Sequence, residues 1–503
     1  MSQTVRIAVR VLVRVSMLLL ACNGRPALEA QSTAKSLPET TVTAVLMSDP
    51  HLDPFRDPAK AKRLAAAPPE QWAAILAEAP SADADTQFDA LQKTCTVKLA
   101  DADAALELSA FNDARAAQPS IVLIGGDMLV HGFSCRYRAL LDPSGTDTAG
   151  LADFAVKTVE FQLSQLQQRF PKAQIHLALG NNDTDCEDYA LDENSRFLNR
   201  LVDAVAAGWT GVSPAERTRA KQDFKRFGSY NLPLAAAVPN TRILVLDDLY
   251  LSSDYRGTCN KKSNGASATA LLTWVGAQLA QAKRAHQAVW LLAHIPPELN
   301  VYRTYMHPHD ICHGEAPATF FPSDDFNNLI MQYTDTVRIF VAGHTHIDEI
   351  HLLEGASAQS GSVPLKVIPS LSPVSTNAPA YLLAQIDPGS AELLNYQKRV
   401  AAAQAGATPQ WSTAYDFRAL YQEPAFTAAS VNDLLHRWQT TPDTSAVQID
   451  AYERSVASGL RQLAFRASWP QQLCAMQHSS AAAFAACACF ARGGLLPPAQ
   501  SAK

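Results

Sequence analysis

The chain has 503 residues, of which 47% are hydrophobic and 18% are charged. These values predict a globular protein with a sizeable core, built as one large domain with an appendage or as two to three domains. The formal net charge is −6 and no dense basic run occurs, so we expect no nucleic-acid binding.

The N-terminal segment has the pattern of an export signal. Three arginines precede the apolar stretch Val15–Ala21, which is too short to span a bilayer. We therefore predict a signal peptide over residues 1–22. Leu19–Cys22 resembles a bacterial lipobox with Cys22 as the residue to be acylated, while ordinary cleavage near Ala27–Ala30 also fits. The protein is expected to be periplasmic, extracellular or a membrane-anchored lipoprotein.

The cysteines support export. Eight of the nine cysteines remain when Cys22 is set aside, and an even number in an exported chain predicts up to four disulfides. The sequence does not define their pairing. Cys487 and Cys489 also suggest a metal site, but no further paired cysteines or histidines surround them, so disulfide bonding is favoured.

Residues 23–40 are predicted to form a linker, and a repeated unit follows in which an apolar β-rich run ends in a polar turn before a helical stretch. The predicted strands are Thr41–Ser48, Ser120–Gly125, Gln174–Leu179, Thr241–Leu246, Ala288–Ala293, Val337–Ala342, Leu365–Pro369 and Tyr381–Ile386. The predicted helices between them include Asp85–Ala117, Asp153–Arg169, Ser213–Arg226 and Ser267–Ala285. Because several strands are fully apolar and alternate with helices, we predict an α/β layered fold.

The pattern changes near Gln397. Residues 401–410 are predicted to form a loop, and helical patterns follow over Val431–Gln439, Ser445–Ala467 and Gln471–Arg492. We therefore predict a core domain over residues 41–397 and a small α-helical, cysteine-containing region over residues 398–503.

Side chains that can bind metal ions follow five of the predicted strands. They are Asp49 and His51, then Asp127 and His131, then Asn181, Asn182 and Asp183, then His294, and finally His344 and His346. Functional groups of α/β sheets gather beyond the carboxyl ends of strands, so we expect these side chains to meet. Mixed nitrogen and oxygen ligands suit Zn²⁺, Mn²⁺ or Fe better than Ca²⁺ or Mg²⁺.

The order Asp-x-His, Gly-Asp, Gly-Asn, His and Gly-His-x-His resembles the calcineurin-like metallophosphoesterase superfamily over about Thr41–Asp387. The motifs SDPHLDPF, GGDMLVH and AHIPPELNVY, with VIPSLSPVSTNAPAYLLAQID, are similar to its acid sphingomyelinase-like phosphodiesterase branch. The resemblance implies mixed β-sheets sandwiched by helices, and an exported enzyme.

The resemblance also implies a two-metal site. Zinc is the expected metal, and manganese and iron are the alternatives. One ion would be held by Asp49, His51, Asp127 and His346, and the second by Asp127, Asn181, His294 and His344. A carboxylate that bridges two cations about 3.5–4 Å apart lets a bound water lose its proton near neutral pH, and the resulting hydroxide attacks phosphorus. Asp53 is expected either to orient His51 or to be a solvated loop carboxylate.

The turn at Gly180–Asp183 reads Gly-Asn-Asn-Asp, where many relatives carry His in the third place. Asn182 can donate a hydrogen bond to a leaving group but cannot release a proton at useful pH. We expect either that His131 serves as the acid or that the substrate has a good leaving group, as a phosphoanhydride does. Arg136 and Arg138 could bind a substrate phosphate.

The substrate stays open among several classes. Acid sphingomyelinases carry a saposin-like domain where this chain has a short linker, so sphingomyelin is not the first expectation. We expect a small phosphodiester, nucleotide or polyphosphate substrate, and a lipid substrate is also compatible with the sequence. Sphingomyelin phosphodiesterase activity, an endopolyphosphatase-like hydrolase, an acid phosphomonoesterase and a non-catalytic metal-binding lipoprotein are the competing hypotheses. The insertion Phe55–Thr86, with Trp72, is expected to lie near the metal site.

Overall fold

The computed structural model describes residues 40–97, 100–257, 259, 265–306, 311–354, 361–374, 377–402, 409–456 and 459–492. The predicted signal peptide, Cys22 and the predicted linker up to residue 39 lie outside these residues. None of the helices in the described ranges is both long and apolar enough to cross a membrane.

Two six-stranded sheets form the centre of the fold. Their strands are β1 Val42–Met47, β2 Ile121–Ile124, β3 Gln174–Leu177, β4 Tyr230–Pro233, β5 Thr241–Val245, β6 Ala288–Leu292, β7 Val337–Ala342, β8 Glu349–Glu354, β9 Ser362–Val367, β10 Ala380–Ile386, β11 Leu393–Ala402 and β12 Gln410–Asp416. The first sheet has the order β12-β11-β10-β1-β2-β3, and the second has the order β4-β5-β6-β7-β9-β8. Both sheets are mixed, as the resemblance implied.

Parallel pairing brings the strand ends together. β1, β2 and β3 are parallel neighbours, and so are β5, β6, β7 and β9. The segment after β9 connects the sheets, because the backbone N–H of Leu371 donates to the carbonyl of Ser48 at 3.0 Å. The carboxyl ends of β1 to β3 therefore lie beside those of β6 and β7.

Helices flank both sheets. They are α1 Pro58–Ala66, α2 Trp72–Ala77, α3 Ala84–Thr94, α4 Ala104–Arg115, α5 Phe133–Leu140, α6 Thr148–Arg169, α7 Arg196–Ala207, α8 Pro214–Phe227, α9 Gly265–Arg284, α10 Val301–Met306, α11 Asp325–Ile330, α12 Phe417–Tyr421, α13 Ala428–Thr440, α14 Pro442–Val456, α15 Gly459–Ala467, α16 Trp469–Gln477 and α17 Ala481–Arg492. One hydrophobic cluster extends through both sheets and the helices that cover them. All four residues of β2, which reads IVLI, are buried, as expected for a strand covered on both faces. The predicted layered α/β class is confirmed.

Several predicted element boundaries are wrong. The helix expected over Asp85–Ala117 is two helices, α3 and α4, because Asp103 caps α4 by accepting from the backbone N–H of Leu106 at 2.8 Å. The patterns at Ser445–Ala467 and Gln471–Arg492 each contain two helices. Ser480 begins the last one by accepting from the N–H of Ala483.

Four strands were not predicted: β4, β8, β11 and β12. The last two extend the first sheet beyond residue 397 and occupy both ends of the predicted loop over residues 401–410. β12 reads QWSTAYD and is partly or fully exposed throughout, so it lacks the apolar run that identifies a buried strand. The domain boundary at residue 397 stays a prediction.

The C-terminal helices pack on β8 of the second sheet. The N–H of Ile350 donates to the hydroxyl of Tyr452 on α14 at 3.2 Å, and α13 and α16 also contact this strand. Four disulfides pair all eight cysteines other than Cys22, which confirms the disulfide prediction. The pairs are Cys95–Cys135, Cys186–Cys259, Cys312–Cys489 and Cys474–Cys487. Cys487 and Cys489 are thus in two different disulfides rather than in a metal site.

Candidate metal centre

The first group of candidate ligands combines two carboxylates and two imidazoles. Asp49, His51, Asp127 and His346 offer ligand atoms that all lie within 4.8 Å of one another. His51 Nδ1 is 2.8 Å from the carbonyl of Leu129, which makes Nδ1 the donor and leaves the lone pair on Nε2. This Nε2 lies 3.1 Å from His346 Nε2 and 3.4 Å from Asp127 Oδ2. Four metal-binding atoms therefore converge on one point.

The second group is built in the same way. Asp127, His294 and His344 form a set with ligand atoms within 4.8 Å of one another. His294 Nδ1 is 2.7 Å from the carbonyl of Gly125, so Nε2 is the nitrogen that faces the other candidate ligands. His294 Nε2 lies 3.2 Å from Asp127 Oδ2, 3.1 Å from Asn181 Oδ1 and 3.2 Å from His344 Nδ1.

Asp127 belongs to both groups, and Asn182 holds it in place. The backbone N–H of Asn182 donates to Asp127 Oδ1 at 2.9 Å, and its side-chain Nδ2 donates to Oδ2 at 2.9 Å. Asn182 is 8% exposed. The side chain predicted to stand beside a leaving group therefore contacts the shared carboxylate instead.

These donors fit two divalent transition-metal ions. Asp49, His51 and His294 are completely buried, and buried carboxylates and converging lone pairs are costly unless a cation lies between them. Burial lowers the pKa of His51 to about 4, so this imidazole is the neutral ligand that a metal ion requires. Burial also acts to lower the pKa of His294, but the negative charge of Asp127 outweighs it and raises that pKa to about 10. His294 must therefore release a proton when a metal ion binds.

The backbone at the site is unusual. Asp49, His51, Asp127, His344 and His346 all have positive φ, between 45° and 71°. Non-glycine residues in this region cost about 1–3 kcal/mol each and cluster at functional sites. Five of the seven predicted metal ligands thus occupy strained turns directly after β1, β2 and β7.

Two residues of the acidic segment CEDYALDEN, residues 186–194 after β3, support the second group. Asn181 Nδ2 donates to Asp188 Oδ1 at 2.7 Å, which directs Asn181 Oδ1 toward His294. The hydroxyl of Tyr189 lies 3.3 Å from His344 Nε2. Cys186, which precedes these two residues in the chain, forms a disulfide with Cys259. Sequence reasoning missed both roles, because nothing in an acidic turn distinguishes a supporting carboxylate from a solvated one.

His131 lies against the first group. Its ring stacks on that of His51 with the centroids 4.0 Å apart. His131 Nδ1 is 3.0 Å from Asp101 Oδ1, and Ser372 donates to the same oxygen at 2.9 Å. His131, His51 and His346 also form a set that could hold a metal ion. Asp101 was missed because it lies thirty residues before His131 and outside every motif.

Asp53 and Arg136 do not have the predicted surroundings. Arg136 donates to Asp53 at 2.6 Å, and both side chains are buried. Asp53 is neither a solvated carboxylate nor the partner of His51 Nδ1, which is bound to Leu129. Arg136 is completely buried in this ion pair, so it is not placed to bind a substrate phosphate. Arg138 is half-exposed, 3.8 Å from Glu187.

A cavity of about 620 Å³ opens at the metal-site histidines. His131, His344 and His346 line one end, while Phe465 and Ser468 from the C-terminal helices line another part. The insertion Phe55–Thr86 contributes to the core instead of to this cavity. Its Trp72 is completely buried, and its ring lies 5.4 Å from that of Phe154 on α6.

The comparison with known families agrees with this site. The calcineurin-like phosphoesterase family profile matches residues 43–348, more than half of the chain. The chain therefore belongs to the calcineurin-like phosphoesterase family. The resemblance to this superfamily that the sequence motifs indicated is confirmed.

Similar proteins include phosphodiesterases of the acid sphingomyelinase-like group. Acid sphingomyelinase-like phosphodiesterase 3b of Mus musculus is 21% identical over 308 residues, which are 58% of this chain and 62% of the relative. Cyclic GMP-AMP phosphodiesterase SMPDL3A of Bos taurus is 24% identical over 265 residues, 51% of this chain and 54% of the relative. Sphingomyelin phosphodiesterase 1 of Caenorhabditis elegans is 20% identical over 294 residues, 55% of this chain and 46% of the relative. The matched region thus spans 46–62% of these relatives' own length.

Proposed function

We propose that the chain is an exported dinuclear-metal phosphodiesterase that hydrolyses small phosphodiester or phosphoanhydride bonds. The observation that carries the proposal is the sharing of Asp127 Oδ2 by two sets of candidate ligands, 3.4 Å from His51 Nε2 on one side and 3.2 Å from His294 Nε2 on the other. A shared carboxylate between two mixed nitrogen and oxygen sets is the arrangement that two-metal hydrolases use.

Each proposed ligand has a defined part in this site. Asp49, His51, Asp127 and His346 would hold one ion, and Asp127, Asn181, His294 and His344 the other; we propose zinc, with manganese and iron as alternatives. When bound, two such ions supply a nucleophile from water at neutral pH and neutralise charge on the phosphoryl oxygens. Asn182 fixes the shared carboxylate through its two hydrogen bonds.

His131 is the proposed proton donor to the leaving group. Its Nδ1 is taken by Asp101, so Nε2 is the nitrogen that remains for the cavity that His131 lines. Asp101 is 5% exposed and therefore fixes the orientation of the imidazole. Asn182 cannot substitute, because an amide does not release a proton at useful pH.

The cavity favours a diester with an organic leaving group. Val301, Phe320, Ile347 and Phe465 give it apolar walls, and no lysine or arginine is found among the described residues that line it. A polyphosphate chain would find no lysine or arginine among those lining residues. The relatives include a sphingomyelin phosphodiesterase and a cyclic GMP-AMP phosphodiesterase, both diesterases.

The direct test uses the mature protein loaded with zinc. We expect bis-nitrophenyl phosphate to be hydrolysed faster than mono-nitrophenyl phosphate, and Asp127→Asn to lose both activity and bound metal. Faster hydrolysis of the monoester would favour an acid phosphomonoesterase. Bound metal without any hydrolysis would favour the non-catalytic lipoprotein.

A second experiment identifies the substrate class. Phosphorus NMR follows sphingomyelin, a nucleoside triphosphate and polyphosphate presented together. Phosphocholine would indicate lipid access, and loss of the anhydride signals alone would support a phosphoanhydride substrate.

Export is supported by the four disulfides, which form in oxidising compartments. Fractionation of cells that express the full chain, compared with Cys22→Ser, separates an acylated form from a soluble one. Membrane association that the substitution abolishes would support the anchor.

A further inference from the structure

A second cluster of buried ionisable side chains lies in the wall of the same cavity. Glu298, Glu349 and His351 are 4%, 8% and 4% exposed, and all three line the cavity. Their ligand atoms lie within 4.8 Å of one another. None of the three belongs to the two ligand groups that share Asp127.

The geometry of His351 shows an unpartnered nitrogen. His351 Nδ1 is 2.8 Å from Glu298 Oε2 and 3.3 Å from the carbonyl of Ala475 on α16, so this side of the ring is engaged. His351 Nε2 is buried and has no hydrogen-bond partner among the described residues. Its neighbour is Glu349 Oε1 at 3.7 Å, which is too long for a hydrogen bond.

The same distance suits two ligands of one ion. Zinc binds imidazole nitrogen at about 2.0–2.1 Å and carboxylate oxygen at about 2.0–2.2 Å, so two ligands at an open angle stand within about 4 Å of each other. The other oxygen of Glu349 accepts from the hydroxyl of Thr345 at 2.7 Å, which holds the carboxylate in place. Glu298 on Nδ1 is the carboxylate that commonly orients a metal-binding histidine from behind.

We propose that His351 Nε2 and Glu349 bind a third divalent transition-metal ion, with Glu298 positioning the imidazole and the remaining coordination positions open to the cavity. A divalent ion at this place would compensate the two buried carboxylates of Glu298 and Glu349.

Binding of the ion displaces one proton. Burial acts to lower the pKa of His351, but Glu298 and Glu349 outweigh it and raise that pKa to about 10. The ion would therefore bind at His351 Nε2 by displacing the proton that this nitrogen carries in the metal-free protein.

The ion would change what the cavity accepts. His344, His346 and Thr345 line the cavity together with Glu349 and His351. Without the ion this wall offers two carboxylates and one imidazole, and no lysine or arginine, to a second anionic group of a substrate. With it, the open coordination positions offer that group a ligand site close to the proposed dinuclear centre.

The test counts metal ions on the full mature chain. The protein is stripped, given zinc in small stoichiometric steps, and analysed for tightly bound zinc per chain in the wild type, Glu349→Gln and His351→Gln. We expect each variant to bind one ion fewer than the wild type. The matched control is His478→Asn, which removes a different His–Glu pair. His478 Nδ1 lies 2.9 Å from Glu354 Oε2, and its loss should leave the number of bound zinc ions unchanged. Equal counts in all four proteins would overturn the proposal.

A second measurement uses the wild type alone and therefore tests the proposal even if the variants fail to fold. Crystals grown with zinc are measured at the zinc absorption edge, and an anomalous peak bonded to His351 Nε2 and Glu349 supports the third site. Peaks beside Asp127 with none at His351 would refute it. A peak at His351 with none beside Asp127 would instead refute the proposed dinuclear function and leave this proposal standing.

Discussion

Replacement of Gly180 by alanine tests whether the position of Asp127 determines metal binding. A Cβ atom at residue 180 would lie 2.2 Å from Asp127 Oδ1 and 2.4 Å from its backbone nitrogen. Ordinary contacts of a Cβ atom are 3.4–4 Å. The turn that follows β2 and the turn that follows β3 must therefore move apart by about 1 Å. Side-chain rotation cannot relieve the contact, since one of the atoms belongs to the backbone.

The expected loss follows from that displacement. A shift of about 1 Å in the groups that hold the reacting atoms can lower the rate by about 10²-fold. Overpacking also lowers the free energy of unfolding by about 1–3 kcal/mol. We expect Gly180→Ala to remain folded, to bind zinc at least about tenfold more weakly and to lose about 10²-fold in kcat/KM for bis-nitrophenyl phosphate. The control is Gly265→Ala, where a Cβ atom meets nothing within 4 Å. Wild-type zinc affinity and activity in Gly180→Ala would refute the view that this turn positions the shared ligand.

Three further substitutions test other parts of the molecule. His131→Ala should slow a diester with a poor leaving group by about 10²–10⁴-fold and affect bis-nitrophenyl phosphate much less; equal losses on both substrates would exclude a proton donor. Burial raises the pKa of Glu107 from 4.5 to about 8, so the folded state keeps a proton that the unfolded state loses, and stability falls as the pH rises from about 4.5 to about 8. Glu107→Gln should therefore be more stable than the wild type by on the order of 3 kcal/mol at pH 7 and equally stable at pH 4, as measured by chemical denaturation at both pH values. Trp72→Ala should cost about 3–5 kcal/mol of stability with the zinc count unchanged, and a lost ion would contradict the placement of Trp72 in the core.

The order of the chemistry-bearing strand ends could be read from the sequence because each one follows a largely apolar run, which is fully apolar before Asp127 and His294. The runs before Asp127 and His344 are continuous strands of a covered sheet, and parallel pairing brings their ends to one edge. The positive φ of Asp49 and His346 could not be read in the same way. Nothing in the side chain of Asp or His demands that backbone conformation, so only the tertiary structure imposes it.

The elements that were missed have charged or polar residues on their strands. β8 reads EIHLLE and carries Glu349 and His351, yet all but its last residue are buried. Ionisable residues at alternate positions, such as Glu349 and His351, normally indicate a solvated face. β8 departs from this rule because the C-terminal helices cover that face. The same covering explains why the cluster of Glu298, Glu349 and His351 has no signal in the sequence.

The identity of Asn182 is explained by what it binds. An imidazole at this place would have one ring N–H for Asp127 and would leave its other nitrogen for the leaving group. The amide of Asn182 donates one N–H to the carboxylate, and its remaining N–H can donate a hydrogen bond but cannot release a proton. Its backbone N–H makes the first of the two bonds and would persist with any residue except proline. Only the second bond, from Nδ2 to Oδ2, depends on the side chain. The substitution of His by Asn thus preserves the support of the shared carboxylate while it removes a proton donor. His131, which Asp101 holds against His51, lies outside both ligand groups that share Asp127, and it is the proton donor that we propose.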